Sequence, residues 1–373
     1  MVTNYAYVAA ASDNSLTLLD VSVPATPAFK SHISGSGAPN FLGGAMDIYK
    51  ESNFCYVGCA DYVGYVGGDS CLTIIDVTDP AAPTFKGTVH FGSGNNLRLV
   101  FVSGNYAYCV DCVDSSKGLH IIDVSNPALP SITGSISLAA LGLGTGAIKG
   151  RPYKPVGNYV YIISFNYSGL VDNDNALLVV DVSNPAAPTL AASIRGVANK
   201  VGGAFCFVSG SYIYIGCLMF NTLTIIDISN PLAPTLKGSL RDDINLNYVT
   251  MLYKEGNYCY CGCRSVFTII DISNPTAPVL KSTLAGFTDN TITVYKDSNY
   301  CYVSDVMDNR VYIIDVSNPA LPSITGSIAG SGAPNYLGTP IFIATGGYPP
   351  VPPATPLTAG SFLARREAWI GGL

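Results

Sequence analysis

The sixteen residues IIDVSNPALPSITGSI stand at 121–136 and again, unchanged, at 313–328. Self-similarity over that length demands a structural unit that the chain uses more than once. Five looser relatives, LLDVSVPATP, IIDVTDPAAP, VVDVSNPAAP, IIDISNPLAP and IIDISNPTAP, complete the set. The seven copies centre on Asp20, Asp76, Asp123, Asp181, Asp227, Asp271 and Asp315, at spacings of 56, 47, 58, 46, 44 and 44 residues. The unit is therefore about 44 residues long, with insertions in two places. A second phrase precedes each copy: NYAYVA, NFCYVG, NYAYCV, NYVYII, SYIYIG, NYCYCG and NYCYVS.

Residues 44–91 show what one unit contains. AMDIYK, FCYVGC, CLTIIDV and PTFKGTVHF are short runs rich in β-branched and aromatic residues, bounded by Gly, Asn, Ser or Pro. Four strands in about 44 residues is the arithmetic of a propeller blade. The expected fold is all-β: a seven-bladed β-propeller of four-stranded antiparallel blades. No stretch within the units sustains an apolar period of 3.6, which excludes a helical solenoid. The Asp-Val-Ser-Asn-Pro phrase falls between the third and fourth strands. Its Asp, Ser and Asn side chains bond nearby backbone amides, and its proline cannot donate to a ladder. The seven aspartates are thus expected to build turns rather than a ring of catalytic carboxylates.

Closure of the ring is also legible. PIFIA at 340–344 is followed by no NYxY phrase, and the chain opens on NYAYVA without a first strand. Because an open ring would leave two unpaired sheet edges, residues 340–344 are expected beside residues 4–10 in a blade built from both ends. The propeller then spans 1–344, and 345–373 form a Pro-rich spacer with a short apolar docking segment.

Composition narrows the partners. Hydrophobic residues make up 48% of the chain and charged residues 12%, with a formal net charge of -6. Nucleic acid and anionic lipid surfaces require clustered Lys and Arg, so neither is expected as a main partner. No apolar run approaches the roughly 18 residues of a membrane span, so no membrane insertion is expected, and the opening MVTNYAYVAAASDNS shows no basic region followed by an apolar stretch. Of the eleven cysteines, Cys55, Cys259 and Cys301 share a column in which other units carry Ala6, Ala107, Val160 and Ile213. They read as small buried hydrophobes. Cys259, Cys261 and Cys263 alternate along one strand, without the separated CxxC pairs or nearby His of a metal site. No metal or other cofactor is expected.

The runs LTLLD, LTIID, LHIID, LLVVD, LTIID, FTIID and VYIID, each continuing toward the proline turn, resemble the LVIVD-repeat family of β-propellers over roughly residues 4–344. That resemblance implies the propeller architecture. It also implies a binding role and a cell-surface or extracellular setting, since members are mostly bacterial and archaeal surface or secreted proteins.

Comparison of the units with one another shows where function is expected. First-to-second-strand links are short and alike, and the third-to-fourth link is the fixed turn, so one face of the disc is uniform. The links on the other face vary, from CLMFNT to CADYVGYVGGDSC and SFNYSGLVDNDNA, and such a face is where repeat scaffolds collect function. The residues expected to bind a glycan or small molecule there are Tyr62, Tyr65, Arg151, Lys154, Tyr167, Asp172 and Asp174. Catalysis is not expected, because the three histidines, His32, His90 and His120, fall on strands of different units and no nucleophile–base pair converges with them. In the tail, five prolines between 349 and 356 form a stiff spacer. SFLARREAWI follows as a short helix whose Phe362, Leu363, Trp369 and Ile370 would share an apolar face for docking on a neighbouring subunit. The expected function is a non-enzymatic structural or protein-interaction module in a larger assembly such as a surface layer, filament or virus particle, self-associating through the tail. The alternative is a glycan- or small-molecule-binding propeller.

Overall fold

The hairpin between the first and second strands of a blade starts from one conformational requirement. Its turn residue is left-handed, with φ between +50° and +61° at Ser52, Gly104, Gly157, Gly210, Gly256 and Ser298, a region that only glycine occupies without steric cost. The computed structural model describes residues 5–60, 69–92, 97–111, 118–143, 152–164, 175–203, 205–218, 220–288 and 291–345. They form seven four-stranded antiparallel sheets. Blade 2 comprises Ala45–Glu51, Phe54–Cys59, Cys71–Asp76 and Thr84–His90, and blade 3 comprises Leu97–Ser103, Tyr106–Asp111, Gly118–Asp123 and Ser131–Ser137. Blade 4 comprises Pro152–Val156, Tyr159–Ser164, Ala176–Asp181 and Thr189–Arg195, and blade 5 Phe205–Ser209, Tyr212–Cys217, Thr222–Asp227 and Thr235–Arg241. Blade 6 comprises Met251–Glu255, Tyr258–Gly262, Val266–Asp271 and Val279–Ala285, and blade 7 Thr291–Asp297, Tyr300–Asp305, Arg310–Asp315 and Ser323–Ala329. Blade 1 draws its first strand, Pro340–Thr345, from the far end of the chain and pairs it with Tyr5–Ala10, which is followed by Ser15–Asp20 and Ala28–Ser34. The closure expected from the sequence is thus present. The first strands of successive blades touch one another all the way round, so they surround the axis.

Blades stack face to face, which covers both sides of their middle strands. Second and third strands are therefore buried almost throughout, and their sequences read as continuous apolar runs rather than as alternations. The second tyrosine-column residue of each NYxY phrase, Tyr7, Tyr56, Tyr108, Tyr161, Tyr214, Tyr260 and Tyr302, is buried in all seven blades. Three of these rings lie under a lysine of the next blade's first strand: Lys50 over Tyr7, Lys254 over Tyr214 and Lys296 over Tyr260, at 5.4–5.9 Å from the ring centres. Such cation–π contacts tie blade to blade. Each of these lysines stands directly opposite a cysteine, namely Cys55, Cys259 and Cys301. The cysteines are buried, as expected, and burial raises their thiols far above the ordinary range.

The proline turn does more than reverse the chain. In all seven copies the aspartate accepts the backbone N–H of the residue two further on, at 2.8–2.9 Å. The turn then packs against the fourth strand of the preceding blade at a column of small residues, Ser31, Gly87, Gly134, Gly238, Ser282 and Gly326. Ser31 and Ser282 donate their hydroxyls to the carbonyls of Pro80 and Pro319, both at 2.6 Å. At Gly87, Gly134, Gly238 and Gly326 a Cβ would collide with the carbonyl oxygen of Pro127, Pro185, Pro275 and Pro24 respectively. The last of these contacts joins blade 7 to blade 1. A register shift in every third-to-fourth-strand pairing, a β-bulge, falls beside this column.

Candidate functional site

The two ends of the disc offer different surfaces. At the link end, four of the interblade links are held from below by the blade they lead into. Thr17, Thr73, Thr224 and Thr268 of the third strands donate their hydroxyls to the carbonyls of Tyr336, Phe41, Lys200 and Asn245 at 2.6–2.9 Å. Two links share a sequence, GSGAPNFLG at 35–43 and GSGAPNYLG at 330–338, and they share a structure. In each, one carboxylate collects two glycine amides: Asp69 accepts from Gly37 and Gly43, and Asp13 accepts from Gly332 and Gly338. These carboxylates are spent on holding loops in shape.

The histidines are similarly occupied with packing. His32 stacks on Tyr336 at 3.8 Å, and burial lowers its pKa from the ordinary value. His90 meets the edge of Phe41 at 5.0 Å, and His120 lies 5.1 Å from Phe91. They belong to blades 1, 2 and 3, each against its own aromatic partner. Among the described residues no three His, Cys, Asp or Glu side chains gather as a metal ion would require. Nor is any helix there long and apolar enough to cross a membrane.

Most residues singled out from the sequence fall outside the described residues: Tyr62, Tyr65, Arg151, Tyr167, Asp172 and Asp174 on the links, and Phe362, Leu363, Trp369 and Ile370 in the tail. Lys154 lies within the first strand of blade 4.

At the hairpin end, the proline turns carry a feature that sequence reading passed over. Between the two prolines of each turn stand two residues that differ from copy to copy. Where one is leucine it faces solvent: Leu129 is 76% exposed, Leu321 74% and Leu232 56%. Val23 of blade 1 and Val279 of blade 6 are 56% and 54% exposed. The adjoining starts of the fourth strands add Ile132, Leu236, Leu280 and Ile324, all exposed. Blades 5, 6, 7 and 1 are consecutive around the ring, so these side chains form an apolar arc on its outer rim, with blade 3 as an outlying copy. The equivalent turns of blades 2 and 4 carry alanines at 81–82 and 186–187. Exposed aliphatics repeated on neighbouring units mark a protein-contact surface more readily than scattered single residues do.

A closed ring of seven four-stranded blades, with exposed apolar corners on one rim, defines a β-propeller. The LVIVD-repeat model matches residues 2–34, 42–90, 96–137, 156–195, 206–242, 253–285 and 292–329, and the chain belongs to that family. No curated protein is recognisably similar to it in sequence. Solved structures share the fold at low identity. A functionally unknown protein from Desulfotomaculum acetoxidans is 12% identical with a TM-score of 0.69, covering 92% of this chain and 99% of that one. A protein from Lactobacillus plantarum is 10% identical with a TM-score of 0.71, covering 92% and 99%. A periplasmic gluconolactonase from Pseudomonas aeruginosa is 10% identical with a TM-score of 0.69, covering 94% and 99%. At these identities the likeness is one of fold.

Proposed function

We propose that this chain is a non-enzymatic β-propeller that serves as a protein-interaction module in a larger assembly, its tail docking on the apolar rim of a neighbouring copy. The observation that carries the reading is the exposed aliphatic arc formed by Val23, Leu232, Val279 and Leu321. The path of the chain supports the tail as occupant. Thr345 pairs with Ala6 at the hairpin end of blade 1, so the chain leaves the ring on the face that bears the proline turns. The 28 residues from 346 to 373 reach roughly 90 Å when extended, far enough to leave their own disc. Phe362, Leu363, Trp369 and Ile370 supply apolar anchors of the kind that fill such surfaces.

The test is the mass in solution of three proteins: the full chain, a chain ending at Thr345, and a full chain carrying Leu232→Ser, Leu321→Ser and Val279→Ser. The full chain is expected to assemble and the other two to remain monomeric. A full chain that stays monomeric at high concentration, or a rim variant that assembles like the parent, would overturn the reading.

A further inference from the structure

Cys59 ends the second strand of blade 2 and Cys71 begins its third, and the register sets them directly opposite each other. They are the only cross-strand opposed pair of cysteines among the described residues, and both are completely buried. Directly opposed residues of antiparallel strands have Cα atoms about 4.5–5.5 Å apart, inside the roughly 4.4–6.8 Å that a disulfide spans. The two sulfurs converge on one acceptor, the Phe41 carbonyl, at 3.3 Å from Cys59 Sγ and 3.5 Å from Cys71 Sγ. Thr73 Oγ1 already donates to that oxygen at 2.7 Å. A carbonyl oxygen offers two lone pairs, so three donors compete for it and the hydroxyl is the strongest.

Blade 5 shows what the position needs. Its link carbonyl, that of Lys200, takes one thiol, Cys217 at 3.0 Å, and one hydroxyl, Thr224 at 2.9 Å. The residue opposite Cys217 is Thr222. In blade 1 the opposed pair is Ala10 and Ser15. The second thiol of blade 2 is therefore surplus to the packing of the link.

The geometry points to Cys59 and Cys71 as a dithiol modification site that closes to a cross-strand disulfide by exchange with a low-molecular-weight disulfide. The hydrogen bond from Cys59 draws the Cys71 thiol below its ordinary pKa, while burial pushes the Cys59 thiol up. Cys71 is the first nucleophile. Its thiolate attacks the disulfide reagent, releasing one reagent thiol and leaving a mixed disulfide on Cys71. Cys59 then gives up its proton and attacks the Cys71 sulfur, releasing the second reagent thiol. The two protein thiols are oxidised, the reagent disulfide is reduced to two thiols, and the balance closes without another reactant. Thr73 keeps the Phe41 carbonyl satisfied afterwards, so the product strands no buried acceptor.

The experiment uses the reduced full chain, incubated under native conditions with oxidised glutathione, then unfolded in acid and alkylated. The expected result is the loss of two alkylatable thiols, no retained glutathione, a cross-linked peptide pair containing Cys59 and Cys71, and a Tm raised by a few degrees. Cys59→Ala and Cys71→Ser install the residues that blade 1 carries at these positions. Cys59→Ala is expected to accumulate one glutathione on Cys71, and Cys71→Ser to gain none. The assignment is overturned if the folded parent keeps all its thiols, if another pair cross-links, or if the link forms only in denaturant.

Discussion

The hairpin end and the link end of the disc differ in how much of their structure is repeated. At the hairpin end all seven blades use the same aspartate turn, and the small-residue column receives that turn from one blade to the next. At the link end the segments differ in length and composition, and the recurring device is one threonine hydroxyl on one link carbonyl, present in blades 1, 2, 5 and 6. At one end, therefore, turns are seated on small residues of the preceding blade, and at the other the links are held by hydrogen bonds to side chains, threonine hydroxyls and the Asp13 and Asp69 carboxylates. Change is cheap in different places as a result. Links can lengthen at the loosely held end, whereas the hairpin end tolerates change only in side chains that point away from the neighbouring blade, such as those between the prolines.

The comparison breaks most readily at Gly134. Gly134→Val puts a branched side chain against the carbonyl of Pro185 and the backbone of Ala186, and overpacking against rigid backbone is expected to cost about 3 kcal/mol or more. Urea midpoints of the purified variant would show it. At the link end, Thr224→Val removes the hydroxyl from the Lys200 carbonyl and leaves Cys217 as its remaining side-chain donor. That loss is expected to cost about 1–2 kcal/mol, measured in the same way. If the threonine variant costs as much as the glycine variant, the two ends are equally constrained and the contrast fails.

Acid should weaken the turns of the hairpin end. Hydrogen bonds from the following Ser or Thr hold Asp20, Asp76, Asp123, Asp227 and Asp271 below the ordinary carboxylate range. Their folded pKa values lie below the unfolded value of about 3.9. The stability they contribute is therefore complete above that pH and disappears as pH falls through the folded values. These carboxylates are partly exposed to solvent, so each contributes modestly and the sum over five turns is what a titration of Tm would record. A Tm unchanged from about pH 5 down to about pH 2 would contradict the assignment. The smallest effect is a gain. Ser52 sits at φ +50° where blades 3 to 6 carry glycine, so Ser52→Gly is expected to stabilise by about 0.5 kcal/mol, visible as a small rise in Tm.

The fold was readable because each blade states it again: strand count, turn chemistry and the shared first blade all follow from comparing copies within the chain. The support of the links is not legible in the same way. Thr73 and its equivalents look like ordinary strand residues until the link carbonyl above them is seen. The third position of FKSHIS, FKGTVH, ITGSIS, LKGSLR, LKSTLA and ITGSIA is Ser or Gly, and that of LAASIR in blade 4 is Ala192, yet smallness on an outer strand shows its purpose only when the next blade's turn is in place. The apolar rim is masked in the sequence by the constancy of the turn around it. A turn phrase that repeats draws attention to its constant residues, and Leu129, Leu232 and Leu321 occupy its variable ones. The cysteines at 55, 259 and 301 were legible as buried side chains, but their lysine partners depend on strand register, which a single strand's sequence does not specify.

Blade 1 sets an order of events. Its first and second strands are separated by more than three hundred residues of chain, and pairing across such a separation is slow because the intervening loop must first be ordered. During synthesis Tyr5–Ala10 emerges before the other strands of the ring and waits for its partner until the other six blades have been made. Throughout that interval the growing protein presents an unpaired sheet edge at each end of an unfinished ring, and open edges of this kind recruit strands from other chains. Pro340–Thr345, made after every other strand of the ring, is thus the one that ends this exposure, and the time spent waiting for it is when the protein is most at risk of joining to the wrong copy of itself.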